Sequence, residues 1–315
     1  MPRTIVVALG GNALSPPGER SSIADQFRHT RTSVEVISAL AADGWQIVVV
    51  HGNGPQVGDE LVRNEIAHER VEPLPLGVLV ASTAGWIGYM VQQCLQNALR
   101  QAGVEREVLT IITQTEVRLD DPALGDPTKP IGHELPTNSY ERLQAMGVPV
   151  AVDSAGRRRR LAGSPVPVDV VEAAAVKRLV EDGRIVIASG GGGPPVYLHH
   201  SRGWEGIEAV VDKDRVAAVL GKRLNADTLL ILTNVDAVYR DWGTDAAVPI
   251  SRLSVMEARA LLAGGGLGVG SMTPKLEAAA DFVESGGRRA IIAHLDAGLE
   301  AIRSGNGTHL IGESE

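Results

Sequence analysis

The feature that most restricts this chain is a set of short, unbroken apolar runs, each ending on glycine. Residues 4–9 read Thr-Ile-Val-Val-Ala-Leu and pass straight into Gly10-Gly11-Asn12-Ala13. Residues 46–50 pass into His51-Gly52-Asn53-Gly54-Pro55, and residues 184–189 into Gly190-Gly191-Gly192-Gly193. An apolar run without polar alternation predicts a strand buried on both faces, as in a parallel sheet covered by helices. Glycine at the end of such a strand lets backbone amides approach a ligand without a Cβ in the way. Ligands of open parallel sheets lie beyond the carboxyl ends of the strands, where helix N-termini attract anions. A fourth glycine-rich stretch, Gly268-Val269-Gly270-Ser271 before Met272, is expected at the same edge.

Helical spacing fills the gaps between these runs. Val34, Ile37, Leu40 and Ala41 share one face, and Gly44 stands where a C-cap glycine belongs. Further helices are expected over residues 56–69, 84–102, 169–181 and 215–224, with another beginning after Pro274. Strands are expected over 108–113, 228–233 and 290–293, and a short helix–strand pair closes the chain. Strand alternating with helix means an α/β fold with a mainly parallel sheet and helices on both faces. The rhythm breaks over residues 118–167, where Asp120-Asp121-Pro122, Pro127-Thr128-Lys129-Pro130 and the Arg157–Arg160 run occur. Prolines at this density exclude a central strand or a long helix. The segment reads as an inserted, protruding arm.

Composition removes several functions. Thirty Lys and Arg against 38 Asp and Glu leave a net charge of −8, which disfavours general binding to nucleic acid. Aromatic residues make up only 3%, too few for a base-stacking platform, and the four tryptophans are scattered. One cysteine, Cys94, allows no intrachain disulfide and sits in an apolar helical setting that suits a core residue. There is no apolar stretch of spanning length and no leader-like N-terminus, so a cytoplasmic protein without membrane contact is expected. His199-His200 lacks partners at metal-ligand spacing, and no metal site of protein side chains is expected. The Arg157–Arg160 run reads as a solvated patch of the arm, with a clamp on substrate phosphate as the minority reading.

Familiar nucleotide motifs fail on spacing. Gly52-x-Gly54-x-x-x-Gly58 is one residue too long for the dinucleotide fingerprint, and neither a P-loop nor the protein-kinase signatures occur. The lysines are more informative. Lys213 stands at a strand-to-helix junction between Asp212 and Asp214, Lys275 at the opening of a helix, and Lys129 between Pro127 and Pro130 in the arm. Phosphoryl transfer asks a protein chiefly to position reactants and neutralise charge on the moving group, which converging ammonium groups do. Surface lysines paired with neighbouring acids are the ordinary alternative, at about even odds for Lys213.

The segments Ala8-Leu9-Gly10-Gly11-Asn12-Ala13, His51-Gly52-Asn53-Gly54-Pro55-Gln56-Val57-Gly58, Pro127-Thr128-Lys129-Pro130-Ile131-Gly132, Val211-Asp212-Lys213-Asp214, Asn234-Val235-Asp236-Ala237-Val238-Tyr239 and Gly270-Ser271-Met272-Thr273-Pro274-Lys275 resemble, in order, those of carbamate kinases. The resemblance runs over essentially the whole chain. It implies the amino acid kinase fold, a three-layer αβα sandwich, as a homodimer. It also implies division into an acceptor-binding half (1–117 and 168–200), the arm (118–167) and a nucleotide-binding half (201–315). The implied reaction is carbamate plus ATP, with Mg²⁺, giving carbamoyl phosphate and ADP, often run toward ATP. The alternative is a kinase of the same fold acting on another small carboxylate or carbamate.

Carried over by position, Gly10, Gly11, Asn12, Gly52, Asn53 and Gly54 would bind acceptor and phosphoryl group. Lys129, Lys213 and Lys275 would stabilise the migrating charge, and Asp214 would orient them. Thr233, Val235, Asp236, Tyr239 and Met272 would line the nucleotide pocket. Relatives carrying lysine two residues before the first Gly-Gly differ here, where Ala8 stands and Lys129 takes over that charge. Thr83-Ala84-Gly85, Gly77 and Pro194 also depart from the usual carbamate kinase pattern.

Overall fold

A computed structural model describes residues 3–15, 22–153, 155–264, 267 and 272–312, with Asn12 described by its backbone alone. Eight strands form the central sheet, in the order Arg252–Ser254, Thr308–Ile311, Arg289–His294, Thr228–Thr233, Thr4–Leu9, Gln46–His51, Ile185–Ile187, Val108–Thr110. Every neighbouring pair is parallel except Arg289–His294 with Thr308–Ile311. The expected α/β sandwich with a mainly parallel sheet is therefore what the chain forms.

Alternate residues of each inner strand feed opposite faces, because strand side chains alternate with a period of two. Val6, Ala8, Val48, Val50, Leu229 and Ile231 enter one core, beneath the helices Ala173–Glu181, Lys213–Leu224 and Met272–Glu284. Ile5, Val7, Leu9, Ile47, Val49, Leu230 and Leu232 enter the other, beneath Glu35–Ala42 and Leu76–Gln101. Burial on both faces explains why these strands carry no polar alternation. Strands from residues 1–200 and from 201–315 lie in this one sheet, Thr4–Leu9 pairing with Thr228–Thr233.

Several boundaries differ from expectation, each for a local reason. The long helix begins at Leu76 rather than 84, because Leu76, Leu79 and Val80 are buried in a third small core under the arm. Residues 167–170 form a strand antiparallel to Thr115–Val117, so the following helix starts at Ala173. The helix expected after Pro274 already includes Met272. Proline is tolerated in a first turn, where its missing N–H would have no partner. The arm is more ordered than its prolines suggest. It holds a helix, Thr137–Ala145, and a three-stranded antiparallel sheet ordered Lys129–Ile131, Arg158–Ala162, Val150–Val152. Pro130 lies on an edge strand of that sheet, where a lost donor costs least.

Candidate active site

The carboxyl ends of the parallel strands and the underside of the arm enclose a cleft of about 840 Å³. Gly10, Gly11, Gly52, Asn53, Gly54, Lys129, Lys213, Asp214, Thr233 and Lys275 all line it. Segments distant in sequence thus converge as the strand ends required.

The first two glycine loops lie against each other. Gly10 N–H donates to Leu232 O and Gly52 N–H to Leu9 O, extending the sheet by one bond past each strand. A Cβ on Gly52 would stand 2.8 Å from Gly11 N and 3.3 Å from Lys213 Cδ, so only glycine lets loop, loop and lysine stem meet. Beneath them, His51 is buried and its Nδ1–H donates to Gly52 O at 3.1 Å. Burial pushes the His51 imidazole down to about 4, against the opposing pull of the Gly52 and Ala84 carbonyls, so the ring is neutral at physiological pH. Asn53 turns away from the cleft centre: its Nδ2 donates to Thr83 Oγ1 at 2.9 Å. The third glycine cluster mainly makes room. A Cβ on Gly190 would meet the His51 ring and Ala84, and one on Gly191 would lie 2.2 Å from Asn53 Nδ2. Ala84, one of the departures from the family pattern, is therefore a buried support of the His51 loop. The fourth cluster, Gly268-Val269-Gly270-Ser271, falls outside the described residues.

The charges are arranged around two aspartates. Asp212 caps the Lys213–Leu224 helix, accepting from the Asp214 and Arg215 amides. Its other oxygen accepts from Lys129 Nζ at 2.6 Å, across the cleft from the arm. Asp214, 1% exposed, lies between Lys213 Nζ at 2.5 Å and Lys275 Nζ at 3.2 Å. Burial alone would raise the Asp212 carboxyl, but the Lys129 and Lys213 charges outweigh it and hold the group well below the usual carboxylate range. Burial lowers the Lys213 ammonium, with Lys275 pushing the same way and Asp214 opposing both. Three ammonium groups thus face two carboxylates, which leaves net positive charge beside a helix N-terminus and open backbone amides. Such an arrangement suits an anion.

The nucleotide candidates are less unified. Thr233 reaches the cleft, but Val235, Asp236, Tyr239 and Met272 do not line it. Asp236 is exposed and accepts from Tyr239 O–H at 2.8 Å, while the Tyr239 ring lies 5.0 Å from that of Trp242. Met272 packs against the core under the sheet. Of Asn12 only the backbone is described, in the turn Gly11–Ala13.

Other cleft residues escaped the sequence reading. Asp212 appeared only as a neighbour of Lys213, although an aspartate just before a helix is a readable N-cap signal. The arginine run divides: Arg157 and Arg159 line the cleft, Arg159 donating to Gly132 O at 2.7 Å, whereas Arg160 pairs with Glu65 at 2.7 Å on the body. Strand alternation separates Arg159 from Arg160, but nothing in four successive arginines says which faces the cleft. Among the described residues no cluster of three His, Cys, Asp or Glu side chains is placed to hold a metal ion. None of their helices is long and apolar enough to cross a membrane.

Comparison with known proteins gives a consistent result. The amino acid kinase family model matches residues 3–294. A carbamate kinase of Pyrococcus horikoshii is 42% identical over 313 residues, covering 98% of this chain and 99% of its own length. A carbamate kinase of Halobacterium salinarum is 45% identical over 314 residues, with 98% and 99% covered. Among solved structures, carbamate kinase from Giardia lamblia bound to citric acid superposes with a TM-score of 0.93 at 32% identity, over 99% of both chains.

Proposed function

Because this chain belongs to the amino acid kinase family, and within it to the carbamate kinases, we propose that it catalyses reversible phosphoryl transfer between ATP and carbamate. The observation that carries the reading is the pairing of Lys213 and Lys275 on the single buried carboxylate of Asp214, with Lys129 held on Asp212 in the same cleft.

In the forward direction a carbamate oxygen attacks the γ-phosphorus of ATP, the bond from that phosphorus to the β,γ-bridging oxygen breaks, and ADP leaves with the electron pair. The acceptor is already an anion, so no general base is required, and Asp214 has a different task. It keeps two ammonium groups charged and aimed in a buried setting where one of them, Lys213, is pushed toward neutrality. The amides of Gly11 and Gly54 and the dipole of the Gly54–Ala67 helix would hold the phosphoryl oxygens. Lys129, Lys213 and Lys275 would neutralise charge on the group as it passes from donor to acceptor. Thr233 lies on the wall where the nucleotide would enter, with Val235, Asp236, Tyr239 and Met272 proposed further along it.

Mg²⁺ fits this site as an ion carried by the nucleotide. The cleft carboxylates Asp212 and Asp214 are both engaged by lysines. Phosphate oxygens and water would supply most of its ligands, in keeping with its reluctance to dehydrate. When bound it would supply positive charge against the phosphates. A homodimer in the cytoplasm completes the proposal, on the strength of the family resemblance.

The test is a coupled assay of ATP formed from ADP and carbamoyl phosphate. Turnover that disappears when both Lys213 and Lys275 are replaced supports the reading. Turnover with acetyl phosphate or another acyl phosphate but none with carbamoyl phosphate would reassign the acceptor. Turnover indifferent to both lysines would overturn the mechanism.

A further inference from the structure

The arm meets the body main chain to main chain at two places: Val210 N–H donates to Gly163 O at 3.0 Å, and Gly58 lies against Gly132. Gly58 lies in the second turn of the Gly54–Ala67 helix, the helix whose first residue belongs to the cleft loop. A Cβ on Gly58 would stand 2.0 Å from Gly132 Cα, 2.9 Å from Gly132 N and 3.2 Å from Gly132 C. The contact is reciprocal: a Cβ on Gly132 would stand 2.9 Å from Gly58 Cα, and Gly132 has φ +73°. Gly132 N–H also donates to Gly54 O at 3.2 Å, so arm backbone docks on helix backbone at two successive levels. Gly132 follows directly on the Lys129–Ile131 strand, whose first residue spans the cleft to Asp212.

Other ties between arm and body run through side chains and can adapt. His133 meets Asp59 at 3.2 Å, and Arg142 and Arg160 meet Glu65 at 3.0 and 2.7 Å, all through side chains free to rotate. Ile131 packs beside Val57 and Leu61, a sliding apolar contact. At the Gly58–Gly132 pair, by contrast, an added Cβ meets main chain that cannot turn aside. Ordinary carbon–carbon contact begins near ~3.5 Å, so a methyl group there must open the joint by roughly 1.5 Å.

We propose that Gly58 is a positioning residue whose backbone contact with Gly132 sets the height of the arm and so places the Lys129 ammonium over the phosphoryl site. The inference rests on the reading that Lys129 acts on the transferred group, and it assigns to a helix glycine a share in the chemistry without any contact with substrate. Close apposition of the two backbones is what allows a lysine borne on a three-residue edge strand to reach a site built by the central sheet.

A double-mutant cycle tests it with the full-length protein, using ATP formation from carbamoyl phosphate and ADP. Gly58→Ala should lower kcat by about 100-fold, the scale of a misplacement of about 1 Å. ADP affinity by calorimetry should stay within about twofold, as Gly58 lies outside the nucleotide wall, and that split separates positioning from general damage. In a Lys129→Ala background the added Gly58→Ala change should alter kcat less than about twofold, since the group it positions is gone. Equal losses in both backgrounds would overturn the proposal, as would undiminished kcat in Gly58→Ala. A Lys129→Ala enzyme with full activity would remove the underlying reading of Lys129 as well, and that single variant shows which has failed. Should Gly58→Ala lack a cooperative melt, the same cycle is run with Gly132→Ala, which adds its methyl group from the arm side and carries the same expected and overturning results.

Discussion

The body and the arm contribute lysines to the same cleft but hold them in contrasting ways. Lys213 and Lys275 stand on helices packed over the sheet, and their ammonium groups share the nearly inaccessible carboxylate of Asp214. Lys129 stands on a three-residue edge strand, its side chain is 30% exposed, and one ion pair with Asp212 spans the cleft. In the body, charge is fixed by burial: two ammonium groups are held on one inaccessible carboxylate. In the arm, charge is fixed by docking, through a single tie that is partly solvated on the lysine side. The difference teaches that a site built into the core and a cation docked onto it from an inserted arm can come from one chain. The core supplies the field, and the arm supplies the last cation.

The largest effect that could break this contrast lies at Asp214. Asp214→Asn would leave two buried ammonium groups facing a neutral amide, and a loss of about 3–5 kcal/mol in urea unfolding is expected. Unchanged stability would mean that the body lysines are not held as described. Next come the lysines themselves. Lys213→Ala or Lys275→Ala should each cost about 100- to 1000-fold in kcat, with ADP affinity little altered. Lys129→Ala should cost kcat as well but less stability than Asp214→Asn, because the Asp212 carboxylate keeps its helix-cap bonds to the Asp214 and Arg215 amides. A Lys129→Ala protein destabilised as strongly as Asp214→Asn would erase the distinction between body and arm.

His51 sharpens the comparison from the side of pH. Its folded value of about 4 lies below the ordinary 6.5, so the unfolded chain binds the extra proton first. Stability should therefore be full above pH 6.5 and fall as pH drops from there toward 4, by up to roughly 3 kcal/mol. Urea midpoints measured at pH 7.5 and 5.0 should converge in His51→Gln relative to the parent. An identical slope in both proteins would show that the loop is not built on a neutral imidazole. The smallest effect is expected at Glu65, which receives Arg142 and Arg160 from the arm. Glu65→Gln should change global stability by less than about 1 kcal/mol. It should speed limited proteolysis within the arm, while cleavage elsewhere stays constant.

Much of the fold could be read from particular residues. Thr4–Leu9 and Thr228–Thr233 were expected at the limits they have, because unbroken apolar runs suit only strands covered on both faces. The first helix, Ile23–Ser33, was overlooked although Ser22 and Asp25 form a capping box there. Its surface-biased composition, with Gln26 and Thr30 among its buried residues, hid the apolar face that sequence periodicity relies on. The hairpin Val238–Arg240 with Val248–Ile250 was also missed, since each strand is only three residues long. Residues 169–170 carried helical expectation and became strand because Thr115–Val117 offered hydrogen-bonding partners that no local propensity reveals.

For the site, sequence alone established the chemical types: glycine loops at strand ends, three lysines, and acidic residues beside one of them. Those follow from local rules, since backbone access needs glycine and anion handling needs cations. Only the tertiary structure decided the partnerships. That Lys275 and Lys213 share Asp214, that Lys129 takes Asp212, that Arg159 faces the cleft while Arg160 faces Glu65, and that Gly58 meets Gly132 all depend on distances between segments far apart in the chain. Local sequence specifies which groups are present and on what kind of element. Where their atoms meet is set by how layers and arm pack, and packing is a property of the whole fold.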